Sequence, residues 1–379
     1  MAPTEPSPTR VGVVGGGQLA LMMAEAAKAA EVRLTVLAAS PDDPAVSLAS
    51  DALVGAATDG DALARLAERV DVITFDHELV DLAQLQRLEA RGVVMRPSPA
   101  ALRLSVDKSF QRVRLRDAAV PVPAFVVTRD PDDPALRPFL DTHPATVVKA
   151  ATGGYDGRGV VFCEGADEAR RAVERFGVAV VEERLELRSE LAQLVVRGPD
   201  GQTRSYPLVT TVQDHGMCVE TIFPACLDAA RRDEAAELAG RIAELSGVVG
   251  ALAVELFDVG GRLIVNEVAL RPHNTGHWTI EGARTSQFEN HLRAVAGRRL
   301  GPTDPTVAAA VMVNLVGGDR PPRPARSSAP DIFVHDYRKE WRPGRKIGHV
   351  TALADDADRA RVAAWSQARA IGAAPREVP

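Results

Sequence analysis

Lys149-Ala-Ala-Thr-Gly-Gly-Tyr-Asp-Gly-Arg-Gly159 is the stretch on which the reading of this chain turns. A lysine closes the β-branched run Thr146-Val-Val-Lys149. Four glycines then fall within the seven residues from Gly153 to Gly159, and a second apolar run, Val160 to Cys163, follows at once. A loop of this kind between two strands has the backbone freedom to fold its amides over nucleotide phosphates while the lysine neutralises their charge. It is not a P-loop, because no Gly-Lys-Ser/Thr follows and no helix starts there. A plain hairpin tip is the alternative, but such a tip has no need of Lys149 together with Asp156-Gly-Arg-Gly159.

Downstream, Ala166 to Phe176 reads as a helix and Ala179 to Glu182 as a strand, giving a small α+β module shaped like a lid. Upstream, from Val11 to about Val94, short β-branched runs (Val11–Val14, Leu34–Leu37, Val72–Phe75, Val93–Val94) alternate with helices from Leu19, Asp61 and Leu82. That alternation predicts a doubly wound parallel sheet. Pro97, Pro99, Pro121 and Pro123 bracket a connecting helix around Asp107–Ala118. Beyond the lid, strands are expected near Leu191–Val196, Arg204–Val209 and Met217–Ile222, then a helix from Leu227 to Ser246. A hairpin of Leu252–Phe257 and Arg262–Val268 about Gly260-Gly261 follows, with a late strand near Ala308–Leu315. The fold class is α/β with α+β: an N-terminal parallel sheet over residues 11–120, a lid over 121–185, and a mixed or antiparallel domain over 186–379 with a small subdomain from about 310. Residues 1–10 (MAPTEPSPTR) read as a disordered tail.

Composition narrows the function. Net charge is −6 and aromatic residues are only 4%, which excludes a broad basic stripe or base-stacking platform and hence a dedicated nucleic-acid binder. No stretch is apolar enough to span a membrane. Cys163, Cys218 and Cys226 form no CxxC pair, which fits neither a disulfide framework nor a zinc knuckle and suits a reducing cytoplasm.

Three further clusters carry chemistry. Gly15-Gly16-Gly17 follows the first strand and opens the first helix, where free amides can hold a phosphate or simply allow close packing. The dinucleotide pattern GxGxxA is met by Gly15, Gly17 and Ala20. The acidic residue that should follow the second strand is missing, since Ala38-Ala39-Ser40 stands there, so a nicotinamide cofactor is not expected. Glu255 and Glu267 lie in the apolar hairpin strands LAVELF and LIVNEV. They either face solvent or share a cation such as Mg²⁺ bridging phosphates. Sharing an ion makes a geometric demand: with Gly260-Gly261 alone as the turn, Glu255 would oppose Asn266 and Glu267 would face away, so an odd-length loop or a bulge is required. His273 and His277, after Arg271-Pro272, suit a phosphate or purine-like ligand better than zinc. Tyr337 to His349 gathers Arg338, Lys339, Arg342, Arg345 and Lys346, either an anion site or a solvated basic loop.

Taken together, GGGQL (Gly15–Leu19), TGGYDGRG (Thr152–Gly159), AVELF…LIVNEVA, RPHNTGHWT (Arg271–Thr279), TSQFENHLRA (Thr285–Ala294) and RPGRKIGH (Arg342–His349) resemble the ATP-grasp superfamily. Within it they resemble the 5-(carboxyamino)imidazole ribonucleotide synthases. The resemblance implies ATP- and bicarbonate-dependent carboxylation of 5-aminoimidazole ribonucleotide through carboxyphosphate, with Mg²⁺ (or Mn²⁺) as cofactor, in a cytoplasmic homodimer.

Carried over by position, ATP would meet Lys108, Lys149, the loop Gly154, Tyr155, Asp156, Gly157, Arg158, Gly159 and Val160, the adenine hinge Glu182, Glu183, Arg184 and Leu185, and Glu190, Gln213, Asn266 and Glu267. Glu255 and Glu267 would hold the metal. The ribonucleotide would meet Gln18, Glu78, Tyr155, Asp156, Arg158, Arg271, His273, Asn274, Lys339, Arg345 and Lys346. Lys149, Arg271, Asp156 and His273 would carry the catalysis. Several positions depart from the family pattern: Lys108 replaces an arginine, Gln213 a histidine, Asp76-His77-Glu78-Leu79 the commoner EFEN, removing an asparagine amide, and Ala20, Ala150, Ala151 and Leu270 the more usual glycine, polar or basic residues, and proline. Two alternatives stay open, a related ligase with another acceptor and a non-catalytic nucleotide-binding regulator.

Overall fold

The computed structural model describes residues 8–154, 159–323, 327 and 329–375. The tail expected over residues 1–10 lies outside the described residues as far as residue 7, whereas Thr9 and Arg10 already belong to the first strand.

The first unit is a four-stranded parallel sheet in the order Asp51–Val54, Val32–Ala38, Thr9–Val14, Val72–Phe75. Its central strands are buried on both faces, as a continuous apolar run requires. The helices Gln18–Ala26, Gly60–Ala67 and Leu82–Glu89 cover it, and the last two are capped by Asp59 and Asp81. The chain runs from Thr9–Val14 outward to one side and then crosses to Val72–Phe75 on the other. A crevice therefore opens beyond the carboxyl ends of these two strands, where Gly15–Gly17 and Asp76–Leu79 emerge. Val93-Val94 is not a strand. Met95 makes one bridge to Ile73, and Pro97, which has no N–H, cannot extend it.

The middle unit is an antiparallel sheet in the order Phe125–Thr128, Ala179–Glu183, Thr146–Ala150, Val160–Cys163. The helices Leu136–Thr142 and Ala166–Phe176 pack on it around Leu140, Val148, Val173 and Val181. The third unit is one antiparallel sheet running from Arg262–Ala269 through Gly250–Val259, Ser189–Arg197, Val209–Asp214, Met217–Phe223, Ala309–Val316 and Lys346–Ala354 to Ile332–Asp336. The single strand expected over Arg204–Val209 is two, Thr203–Ser205 and Val209–Asp214, because Pro207 interrupts the ladder between them.

First and third units are joined by a common core. Phe288, Leu292 and Val295 of the helix Gln287–Val295, with Tyr337, pack among Val11, Leu19, Leu21 and Met23. His291 lies at this junction, wholly buried. Its Nδ1 accepts from the Ala251 amide (3.0 Å), which leaves Nε2–H to donate to Thr74 Oγ1 (2.9 Å). Burial lowers its pKa to about 3, so the ring stays neutral.

Candidate active site

A cleft of about 1150 Å³ lies where the three units meet. Its walls include Gly15–Leu19 and Asp76–Leu79 from the first unit, and Lys149, Gly154, Val160 and Glu182 to Leu185 from the middle. The third unit adds Glu190, Gln213, Glu255, Asn266, Glu267, Arg271, His273, Asn274 and Lys346, and Lys108 enters from the connecting helix Lys108–Asp117. Tyr155, Asp156, Gly157 and Arg158 lie outside the described residues. Gly159 stands at φ +79° where the chain re-enters the strand Val160–Cys163, a conformation that suits glycine.

The hairpin meets the demand placed on it. Gly260 and Gly261 form a two-residue turn with both φ positive (55° and 88°), and Val259 pairs with Arg262. The register holds to Leu256–Val265 and then shifts, so that Glu255 pairs with Glu267 and Asn266 is the extra residue. A bulge of this type turns two neighbouring side chains toward one partner. Asn266 Nδ2 accordingly donates to Glu255 Oε2 (3.3 Å) beside Glu267. Lys108 Nζ sits 2.5 Å from Glu267 Oε1, and His273 Nε2 sits 3.6 Å from Glu255 Oε1. Burial, with the charges of Glu267 and Glu190, pushes Glu255 up to about 7. Burial is also the largest influence on Glu267 and pushes it upward, but the charge and hydrogen bond of Lys108, with the charges of Lys149 and Arg112, together hold that carboxyl below its ordinary value. This is a carboxylate pair one cation short. Among the described residues no group of three or more His, Cys, Asp and Glu is arranged to hold a metal, so an ion on this pair needs further oxygens from a ligand.

Lys149 is the penultimate residue of its strand, with Nζ 2.8 Å from Glu182 Oε2 and 2.9 Å from Asn266 Oδ1. Burial lowers its pKa despite Glu182. Glu182 is itself buried. Desolvation would raise its pKa, but Arg112 and Lys149 bring it down to about 2. Its side chain is therefore part of an internal ion network, and Glu183, Arg184 and Leu185 follow it along the cleft, which Pro123, Val147, Phe162 and Phe257 also line. Burial lifts Glu190 to about 7. Cys218 also lines the cleft, its thiol pushed up to about 11 by burial and so not activated.

On the first unit's side two amides of the glycine turn are taken by protein groups. The Gly17 amide donates to Asp76 Oδ2 (3.0 Å) and the Gly15 amide to the Leu37 carbonyl (2.9 Å), so the turn presents a carboxylate. A Cβ on Gly15, at φ +120°, would lie 1.6 Å from Asp76 Oδ1. Asp76 is buried, which raises its pKa, and among the described residues Oδ1 has no hydrogen-bond partner, the His77 Nε2 lying 3.7 Å away.

Arg271 Nε pairs with Glu78 Oε1 at 2.8 Å, and Lys339 Nζ donates to Gln18 Oε1. Asn274 exchanges two side-chain hydrogen bonds with Asn314 (3.0 and 2.7 Å). The His273 amide donates to Gln287 Oε1, whose Nε2 donates back to the His273 carbonyl. Three expected contacts fall elsewhere. His277 is wholly buried, with Nδ1 accepting from Gln287 Nε2 (3.2 Å), so it is not a ligand contact. Arg345 turns away to the Glu340 carbonyl (3.1 Å) and does not line the cleft, and neither does Lys339, although its partner Gln18 does. Arg112 and Asn314 were not singled out from sequence, and Asp76 only as part of the stretch that departs from EFEN. Their partners lie 70, 40 and 59 residues away, so no local pattern marks them.

The chain matches three family models in order: a ribonucleotide synthetase preATP-grasp domain over residues 9–106, an ATP-grasp domain over 113–288, and a phosphoribosylaminoimidazole carboxylase C-terminal domain over 310–363. It is 47% identical over 372 residues to the N5-carboxyaminoimidazole ribonucleotide synthase of Mycobacterium tuberculosis, covering 93% of this chain and 86% of the relative. The crystal structure of the Thermus thermophilus synthetase superposes with a TM-score of 0.86 at 34% identity, over 97% of this chain and 99% of that one. That of the Aspergillus clavatus N5-carboxyaminoimidazole synthase, in complex with ADP and 5-aminoimidazole ribonucleotide, superposes with a TM-score of 0.87 at 28% identity, over 97% and 99%.

Proposed function

The chain belongs to the N5-carboxyaminoimidazole ribonucleotide synthase family of ATP-grasp ligases, and from that premise we propose how its own residues divide the work. It is an ATP-dependent ligase of purine biosynthesis that carboxylates 5-aminoimidazole ribonucleotide. The observation that carries the residue assignment is the direct pairing of Glu255 with Glu267 beside Lys149, in a cleft that continues without interruption to Arg271, His273 and Asn274.

Bicarbonate is a poor electrophile. Attack of its oxygen on the γ-phosphorus of ATP releases ADP and forms carboxyphosphate, a mixed anhydride. The exocyclic amine then forms the C–N bond as phosphate leaves with the anhydride's electron pair and the amine loses a proton. Phosphoryl transfer of this kind is catalysed by positioning and charge neutralisation. Lys149 and Lys108 supply positive charge at the phosphates, with Asn266 holding the Lys149 ammonium in place. Glu255 and Glu267 would hold Mg²⁺, which when bound neutralises and orients the phosphate oxygens; the shortage of cations around this pair supports the fit. Glu183 to Leu185 receive adenine and Glu190 the ribose. Arg271, His273, Asn274 and Lys346 take the ribonucleotide, aided by Glu78 and Gln18. Lys108 offers a point charge where the family usually has a fork, which weakens the nucleotide contact. Leu79 offers no side-chain amide, at a cost of about 1 kcal/mol in acceptor binding.

Residues 121–185 act as the lid that shuts water away from carboxyphosphate, between domains of residues 11–120 and 186–379. A cytoplasmic homodimer is the working form. The test is transfer of labelled bicarbonate carbon into the carbamate product with ATP, Mg²⁺ and the ribonucleotide. Equal amounts of ADP and labelled carbamate are expected. ADP without labelled carbamate refutes the assignment.

A further inference from the structure

Arg112 sits on the helix Lys108–Asp117, its side chain 1% exposed, behind the cleft wall rather than on it. Its guanidinium reaches two units at once. Nε donates to Glu182 Oε1 of the middle unit (2.5 Å), and Nη2 donates to the backbone carbonyl of Asn266 in the third. Neither partner is incidental. Asn266 is the extra residue of the bulge, and a bulged residue leaves the ladder incompletely paired, so its carbonyl needs a donor from outside the sheet. Glu182 is the carboxylate that, together with Asn266 Oδ1, holds the Lys149 ammonium.

We propose that Arg112 is the positioning residue of the phosphate end. It holds the bulge that places Glu255 opposite Glu267, and the carboxylate that aims Lys149, without touching substrate. A planar fork can serve both acceptors in fixed directions, whereas an ammonium in its place can satisfy the Glu182 charge but not both geometries. The inference rests on the assignment of Mg²⁺ to Glu255 and Glu267.

The test uses the full chain with ADP as the probe, its dissociation constant measured by calorimetry with saturating Mg²⁺ and again with chelator. The variant is Arg112→Lys, which leaves the buried Glu182 paired and so keeps the fold. Wild-type protein is expected to bind ADP more tightly with Mg²⁺. Arg112→Lys is expected to lose about ten- to a hundredfold of that gain, the usual effect of removing an outer-shell partner, while chelated binding at the adenine hinge changes less than about threefold. A purely structural arginine would weaken both conditions alike or neither, and either result overturns the proposal. Combining Arg112→Lys with Glu267→Gln provides a second check: the two losses are expected to be non-additive, and full additivity contradicts the shared route. If the wild-type protein binds ADP equally with and without Mg²⁺, the metal assignment fails, and this inference fails with it. If the gain survives intact in Arg112→Lys, the inference alone fails.

Discussion

The first and third units share a hydrophobic core, while the middle unit keeps its own. Leu292 and Tyr337 pack among residues of the first sheet, and His291 bridges Thr74 to Ala251. The middle unit closes around Leu140, Val148 and Val181. It meets the others through charge, with Glu182 bonded to Arg112 and Lys149 to Asn266. Apolar contacts that are buried and non-directional make a durable weld, whereas charged contacts can re-form around a polyanion. On the proposed assignment, that difference would give the fixed geometry of acceptor and metal to the welded body, and movement to the unit that carries Lys149.

The largest effects are expected at the charged seam. Lys149→Met should lower ADP release by about 10²–10³-fold with the fold retained, because Glu182 keeps Arg112 as partner. Glu267→Gln should do the same, and the double variant should lose little more. Steady-state ADP release alongside near-ultraviolet dichroism checks this.

Next comes the weld itself. Leu292→Ala and Leu140→Ala each empty a buried site at a cost of about 2–5 kcal/mol. The first should loosen the first and third units together; the second should raise exchange only in residues 125–183. Hydrogen exchange by segment separates the two, and a uniform rise in both variants would erase the distinction.

The two regions should also respond to pH in opposite senses. Glu182 titrates well below its unfolded value, so its contribution is present above about 4.5 and lost as pH falls toward 2. Glu190 titrates above its unfolded value, so stability is greatest below about 4.5 and is lost as pH rises through about 7, by on the order of 3 kcal/mol. Urea unfolding of the ligand-free chain across that range should show the neutral limb flattened by Glu190→Gln.

The smallest effect belongs to a residue that the sequence placed in the site and the structure does not. Arg345→Ala should change the ribonucleotide KM by less than about fivefold, since the side chain serves the Glu340 carbonyl outside the cleft. Lys346→Ala should exceed it.

Legibility followed the range of the forces involved. The strand Val160–Cys163 and the helix Ala166–Phe176 lie where their apolar periodicity puts them. The bulge at Asn266 was legible too, because alternation of side chains leaves no other way to bring Glu255 and Glu267 together across a two-residue turn. Asp51–Val54 was not, being four residues long, half exposed and poor in β-branched residues. Asp76 takes the Gly17 amide from 59 residues away, a contact that glycine spacing does not announce, and His277 was drawn into the core by Gln287. Glycine spacing reports what a backbone can do, while the groups that occupy its amides are set by the tertiary fold.

One measurement bears most directly on the account: ADP release with bicarbonate and saturating Mg²⁺ as 5-aminoimidazole ribonucleotide is titrated in. The account predicts that release climbs and saturates with the ribonucleotide, and falls to a low background when bicarbonate is withheld. Release that ignores the ribonucleotide, or that responds instead to another amine, would contradict it.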